Sequence, residues 1–378
     1  MMPPRVSIII LNWKNWGDTI ECLESVYRLK YTNYDVIIVD NGSDDESVTK
    51  IKEYARGNIK ITSDFFKYSI WNKPIKVFEL DETEARVGRF NKRIYEKYDP
   101  DRRMIIIRNH ENYGYAGGNN TGIKFALSVL SPKYILILNN DTVIAPDLIN
   151  KLVKVAEQDN RIGIVGPRVN YYNYLGHKDI VQYCGSIFKI LFLRKQIIGH
   201  KKKQCIYKNP IDTDEVYGAC MLIKENILYD IGLFDENFFA YWEETDMCFN
   251  TKKQGYILKI VPGATIWHKI GSNNDSEKRV SILASYLFGR NMIYFTQKNL
   301  NGITKFVNLL YILTLKTVTL WLIYVLHYAN PIAAISFTLG ILKGIKNERG
   351  KPCCKLFNSY NMSCKSSINH SLDMSTDY

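Results

Sequence analysis

The stretch Tyr134-Ile-Leu-Ile-Leu-Asn-Asn-Asp-Thr-Val143 decides how this chain is read. Its apolar residues follow one another without polar alternation, the pattern of a strand buried on both faces in a parallel sheet. The run then breaks into Asn139, Asn140 and Asp141. In open α/β sheets ligands sit beyond the carboxyl ends of the strands. A carboxylate flanked by amides at such an end can hold a divalent cation and, through it, a phosphate. Asp141 also stands where it would cap a helix starting near Ala145-Pro-Asp147, and both readings remain open at this point.

Towards the N-terminus, Val6 to Leu11 is a second buried run, with a helix expected from Asp18 to Leu29. Val36-Ile-Ile-Val-Asp40 is a further strand before a helix from Glu46 to Arg56. Strands alternating with helices, each strand ending in polar residues, predict a doubly wound α/β sheet. Asp40 falls where a Rossmann-like sheet sets an acidic group against a nucleoside; the other reading is a solvated turn residue. Between about Asn58 and Arg103 the rhythm lapses. One alternating patch there, Ile75-Lys-Val-Phe-Glu-Leu80, predicts an inserted β-hairpin with a short helix. Met104 to Arg108 is the next strand, followed by Asn109-His-Glu-Asn-Tyr-Gly-Tyr-Ala-Gly-Gly-Asn-Asn-Thr-Gly122. Its glycines 114, 117 and 118, ahead of a helix expected over 119–129, suit close approach to a ligand at helix N-terminal N–H groups. The loop has neither the Lys-Ser/Thr of a P-loop nor a strict dinucleotide fingerprint.

Towards the C-terminus, a helix is expected from Asp147 to Glu157, then strands over Ile162–Pro167, Val216–Ile223 and Ile257–Val261. Arg168 to Asp214 is an aromatic, basic, loop-rich segment. Tyr241-Trp-Glu-Glu-Thr-Asp246 opens a helix reaching Gln254. Glu243, Glu244 and Asp246 favour a helix's first turn, and carboxylates set against Tyr241 and Trp242 also make a general base of raised pKa. His268 lies at a strand end and becomes a metal-ligand candidate because Asp141 offers it a partner.

With 378 residues, 46% of them hydrophobic, the chain can build one large domain or two ordinary ones. A formal charge of +12 implies an anionic partner: a phosphorylated substrate, an acidic membrane face or a nucleic acid. No RNA- or DNA-binding module is visible, so no nucleic acid is expected as a partner. The eight cysteines lack paired metal-ligand spacing, which predicts neither a structural disulfide nor zinc and suits a reducing compartment. The first apolar run is too short for a signal peptide, which predicts a cytoplasmic globular part. Phe306 to Tyr328 is long enough for a bilayer, yet Lys316 at its centre costs about 2.5–3.5 kcal/mol on insertion. With Pro331 and the shorter run Ile332–Leu342, this predicts a monotopic or re-entrant helix pair. Lys343, Lys346, Arg349 and Lys351 flank it for an anionic membrane surface. The other reading packs these helices on the globular part or in a homodimer. The polar tail over 349–378 is expected to be disordered.

Taken in order, these motifs resemble the inverting GT-A glycosyltransferases of family 2, closest to the rhamnosyltransferase-like branch. The resemblance runs from about Val6 to Asn299. It implies a GT-A fold over residues 1–300, a Rossmann-like, mostly parallel sheet flanked by helices, followed by a hydrophobic helical segment over 301–348. It implies donor binding by Asn12, Asp40 and Asn41, by Asn112, Gly114, Gly117, Gly118 and Asn119 of the glycine-rich loop, and by Asn139, Asn140 and Trp242. It implies a Mg2+ or Mn2+ ion on Asp141, completed by His268. Asn139 departs from the family's Asp-x-Asp and leaves one fewer charge on that ion. Glu244 becomes the general base, with Glu243 and Asp246 in support, and Gly289-Arg-Asn-Met-Ile-Tyr-Phe295 resembles the closing motif. The implied activity moves rhamnose or another hexose from a dTDP- or UDP-sugar to a saccharide or polyprenyl-linked glycan acceptor. The implied setting is cell-surface glycan synthesis at the cytoplasmic face of the membrane. Asn139 also leaves open a non-catalytic nucleotide-sugar-binding scaffold on the same fold.

Overall fold

The apolar runs become strands of one twisted sheet because only a sheet covered by helices buries both of their faces. The computed structural model describes residues 2–269 and 281–353. Its first half alternates β1 (Val6–Asn12), α1 (Trp16–Val26), β2 (Tyr34–Asp40), α2 (Ser47–Arg56), β3 (Lys76–Asp81), α3 (Glu82–Arg86), α4 (Lys92–Tyr95) and β4 (Arg103–Arg108). Next come α5 (Gly114–Phe125), β5 (Tyr134–Asn139), β6 (Thr142–Ile144), α6 (Leu148–Ala156), β7 (Ile162–Tyr171) and β8 (Val181–Tyr183). The β9–β10 hairpin (Ser186–Lys189, Arg194–Ile197), β11 (Ile211–Asp212), β12 (Cys220–Lys224), α7 (Glu225–Asp230), α8 (Glu243–Lys253) and β13 (Ile257–His268) follow. Three helices close the described chain: α9 (Ile282–Asn299), α10 (Gly302–His327) and α11 (Pro331–Ile345).

The strand order is β11-β13-β7-β12-β5-β1-β2-β4-β3, with β6 on β13 and β8 on β7. β1 pairs in parallel with β2 on one side and β5 on the other, so the chain builds the sheet outward from β1 first on one side and then on the other. That switch point is where an α/β sheet opens a crevice. Register brings the polar strand ends to one edge: Asn12 opposite Asp40, Asp40 opposite Arg108, and Leu11 opposite Asn139. α5 lies close on the sheet here. A Cβ on Gly118 would sit 2.5 Å from Leu11 Cδ1, and one on Gly122 2.8 Å from Ile9 Cγ2.

Several expectations change. The segment 58–103 contributes a single edge strand, β3, parallel to β4, in place of a hairpin. Its alternation of Val77, Phe78 and Leu80 with charged residues suits a half-buried edge, and the partner is β4 further along the chain. The glycines of 114–118 lie inside α5, which starts five residues before the expected Asn119, and they meet Phe239, Tyr113 and, at Gly118, Leu11 of the sheet. β7 and β13 run on to Tyr171 and His268, well past their apolar cores, and the strand expected from Val216 begins at Cys220. The expectation of no disulfide is corrected: Cys184 and Cys205 are bonded. They are 21 residues apart, and the β9–β10 hairpin between them folds the chain back so that they meet. The tail from 354 onwards lies outside the described residues.

α9 and α11 cross at glycines, where a Cβ on Gly340 would stand 2.0 Å from Tyr286 O. Around them Met292, Phe295, Phe337 and Ile341 form a second apolar core that also takes in Trp242. α10 turns Ile303, Phe306, Leu310, Leu315, Val318 and Leu326 to the outside. The cations expected to flank this segment are mostly engaged. Lys343 pairs with Glu348, Lys351 with Glu111, and Arg349 lies 4.0 Å from the centre of the Tyr294 ring.

Candidate active site

One cleft opens at the switch point, floored by Leu11, Trp13, Asn139 and Asp141. Its walls are Asn41, Asn112 and Gly114 on one side and Tyr217, Gly218, Tyr241, Glu243 and Glu244 on the other. The amides around the cleft are held in place by hydrogen bonds. Asn41 Nδ2 donates to Asn112 Oδ1 and to Gly114 O, both at 3.0 Å, and its Oδ1 accepts from Asn109 Nδ2 and the Tyr113 N–H. Asn41 therefore shapes the turn into α5. Asn140 donates to Thr19 Oγ1 at 2.9 Å and ties β5 to α1. Asp40 accepts from Asn12 Nδ2 at 2.8 Å and from the Ser43 N–H at 3.1 Å.

Asp141 and His268 meet because β6 pairs with the extended end of β13, His268 standing opposite Thr142. His268 Nε2 lies 3.2 Å from Asp141 Oδ1, and Gln182 Oε1 lies 3.0 Å from His268 Nδ1. An amide oxygen only accepts, so Nδ1 carries the proton. In the neutral ring this leaves the Nε2 lone pair facing a carboxylate oxygen. Both atoms are buried, and among the described residues neither has a hydrogen-bond partner. Two acceptors so close repel unless a proton or a cation lies between them. The orphaned oxygen and nitrogen fit a divalent cation, with Gln182 fixing the tautomer from behind.

The acidic wall rests on a strained loop. Phe239, Tyr241 and Trp242 have φ of 65°, 68° and 79°, the left-handed region that costs a non-glycine residue about 1–2 kcal/mol. Asn291 of α9 holds them there: its Nδ2 faces Phe238 O at 2.9 Å and the carbonyls of Ala240 and Tyr241 at 2.8 Å. Arg290 adds a donor to Phe238 O at 2.8 Å. The loop delivers Glu243 and Glu244 into the cleft, each with a buried Oε2 that lacks a hydrogen-bond partner among the described residues. Burial and then the Glu244 charge push the Glu243 carboxyl well above its usual range. Burial and then the Glu215 charge raise that of Glu244, while Lys195 opposes the rise.

Several residues expected at the site are elsewhere. Asn12 is fully buried beneath Asp40 and positions it, and Asp40 itself opens on a neighbouring groove with Gly42, Ser43 and Arg108. Gly117 and Gly118 face protein, where a Cβ would meet Tyr113 or Leu11. Asn119 donates back to Tyr115 O. The Trp242 ring packs tilted against Phe295, centroids 5.1 Å apart, in the second core, since its left-handed backbone turns the ring from the cleft. Asp246 points the same way, into Lys298 at 2.8 Å and Asn299 at 2.7 Å. Sequence reasoning missed Gln182, Lys195, Glu215 and Asn291. Asn291 sits in the closing motif, and the others carried no sequence signal.

A doubly wound sheet whose switch point faces two buried carboxylates and an Asp–His pair defines a GT-A-like glycosyltransferase architecture. The sequence pattern of glycosyl transferase family 2 matches residues 7–67 and 81–232, and the chain belongs to that family and is a glycosyltransferase. It is 27% identical over 243 residues to the low-salt glycan biosynthesis hexosyltransferase Agl10 of Haloferax volcanii, covering 64% of this chain and 75% of that protein. It is 24% identical to the poly-beta-1,6-N-acetyl-D-glucosamine synthase of Staphylococcus aureus, covering 67% of this chain and only 47% of that one. In fold it is similar to GalNAc-T7 crystallised with UDP, GalNAc and Mn2+, with a TM-score of 0.50 at 14% identity over 81% of this chain and 53% of that chain.

Proposed function

We propose that the chain is an inverting hexosyltransferase that takes its sugar from a nucleoside diphosphate donor, a dTDP- or UDP-linked hexose of the rhamnose type or related to it. The observation that carries this reading is one cleft lined by both Asp141, with the buried His268 3.2 Å behind it, and the Glu244 carboxylate. Asp141 and His268 would hold a divalent ion, which supplies positive charge to the leaving diphosphate when bound. Trp13, Asn41 and Asn139 line the donor side of the cleft. Glu244 removes the proton from the acceptor hydroxyl, whose oxygen bonds to the anomeric carbon as the bond to the diphosphate breaks. A carboxyl pushed up by burial is the stronger base for that proton. No covalent intermediate on the protein is needed, and one displacement inverts the configuration.

The acceptor is a saccharide, lipid-linked in the version the C-terminal helices favour. Residues 1–300 then form the transferase domain and 301–348 its attachment to the cytoplasmic face of the membrane. Among the described residues α10 is long and apolar enough to cross a bilayer, and 17% of its most apolar window is buried in the chain. Phe192 of the hairpin tip packs 4.9 Å from Tyr311 and extends the exposed apolar face. Arg194 and Lys316 lie near it, neither in an ion pair with a carboxylate among the described residues, and suit lipid phosphates.

The test is nucleotide release from a panel of UDP-, dTDP- and GDP-sugars with Mn2+, beside melting of the protein with each nucleotide. Glu244→Gln is expected to slow release by about 10²–10⁴-fold while the nucleotide still raises the melting temperature. Asp141→Ala is expected to remove the Mn2+-dependent part of that rise. Full turnover in Glu244→Gln would remove the base, and no rise with any nucleotide would leave a scaffold on a glycosyltransferase fold.

A further inference from the structure

Glu215 is 1% exposed and lies on the segment entering β12. Its Oε1 accepts from Lys195 Nζ at 2.6 Å and from Thr245 Oγ1 at 3.2 Å, and its buried Oε2 has no hydrogen-bond partner among the described residues. Thr245 follows Glu244 directly, so Glu215 grips the first turn of α8. Lys195 reaches it from β10, the return strand of the hairpin, with its side chain about one-third exposed (31%). A charged pair taken out of water is costly unless its geometry serves something. This one stands beside a carboxylate that has no cation of its own among the ion pairs of the described residues.

The groups facing Glu244 come from each element around it: Glu243 beside it, Tyr241 before it, Cys248 one turn on, Tyr115 from α5, Glu215 and Lys195. The cation among them is Lys195. Burial works against its ammonium, and the charges of Glu215 and then Glu244 outweigh that.

We propose that the Lys195–Glu215 ion pair is a positioning device for the Glu244 base: Glu215 anchors its helix turn through Thr245, and Lys195 supplies the counter-charge that lets two neighbouring buried carboxylates share one cleft. The proposal rests on Glu244 being the base. It gives the two partners opposite signs. Lys195→Met leaves Glu244 facing negative charge alone, so its proton is held to higher pH. Glu215→Gln leaves it facing an uncompensated ammonium, so its proton is lost at lower pH. The double variant falls between them, and Lys195→Arg stays near wild type.

The experiment follows the glutamate carboxyl carbons by NMR in the full chain labelled with [13Cδ]glutamate, across a pH titration. The Glu244 signal is assigned as the one lost in Glu244→Gln. The acid limb of nucleotide release from the best donor of the panel is measured on the same variants. The expected result is an upward displacement in Lys195→Met and a downward one in Glu215→Gln, in both readouts. A pair that merely holds the fold together would lower the melting temperature of both variants and move neither titration in opposite directions; that result overturns the proposal. If the Glu244 signal stays put while Glu244→Gln abolishes release, the pair has no positioning role and the base stands. If the signal moves as expected while Glu244→Gln still releases nucleotide, the base reading falls instead.

Discussion

Asn291→Ala removes one side chain from α9 and tests whether the acidic wall depends on the C-terminal helices. Asn291 is fully buried and faces three carbonyls of the loop before α8. Phe238 O keeps the Arg290 donor at 2.8 Å, but Ala240 O and Tyr241 O lose theirs. A buried carbonyl left without a donor costs about 1–3 kcal/mol, so the pair comes to about 2–6 kcal/mol. The loop has a way to shed part of that. Three of its residues sit in left-handed backbone, each storing about 1–2 kcal/mol that is released if the loop relaxes. Relaxation would swing Glu243 and Glu244 out of register with Asp141, so what is saved in stability reappears as lost activity. Asn291→Asp is expected to be worse than the alanine, since it aims a carboxylate at three carbonyl oxygens. Urea unfolding of the full chain, compared at matched slopes, reads the stability, and nucleotide release reads the site. A loss under about 1 kcal/mol in Asn291→Ala together with unchanged release would refute the reasoning.

Gly118→Ala places a Cβ 2.5 Å from Leu11 Cδ1 and 3.0 Å from Asn41 Nδ2, so it is expected to cost about 1–3 kcal/mol and lower the melting temperature. An unchanged melt would mean that α5 does not lie as close on the sheet as described. Gln182→Leu removes the acceptor behind His268 and should weaken Mn2+ binding, measured by titration calorimetry, by about 10–100-fold. Equal affinity in wild type and variant would remove His268 from the ion site. For Glu243, burial and the neighbouring Glu244 hold the carboxyl well above its usual 4.5. Above that value the folded chain binds more protons than the unfolded one, so this group's contribution makes stability fall as pH rises. Glu243→Gln is therefore expected to melt above wild type at mildly alkaline pH, with the gain shrinking as pH falls towards 4.5. A gain that grows on acidification would reverse the sign and sink the argument.

The sequence by itself determined the sheet and the edge where chemistry happens. Runs such as Ile135–Leu138 and Val36–Val39 can be stable only with both faces covered, and their polar ends, Asp40 and Asn139–Asp141, must then come out on one rim. The acidic motif before α8 was legible too, because carboxylates crowded at a helix start stand out locally. Tertiary structure alone decided which of these residues share the cleft. Asn12, Trp242 and Asp246 carry the right chemistry but point into the protein, a matter of backbone angles and packing that spacing does not encode. Gln182, Lys195, Glu215 and Asn291 act through partners 86, 20, 30 and about 50 residues away. The same holds for Cys184 and Cys205, which look unpaired along the chain until a hairpin brings them together. Local pattern reports what a residue can bury or bond; only the folded chain settles which distant atom it meets.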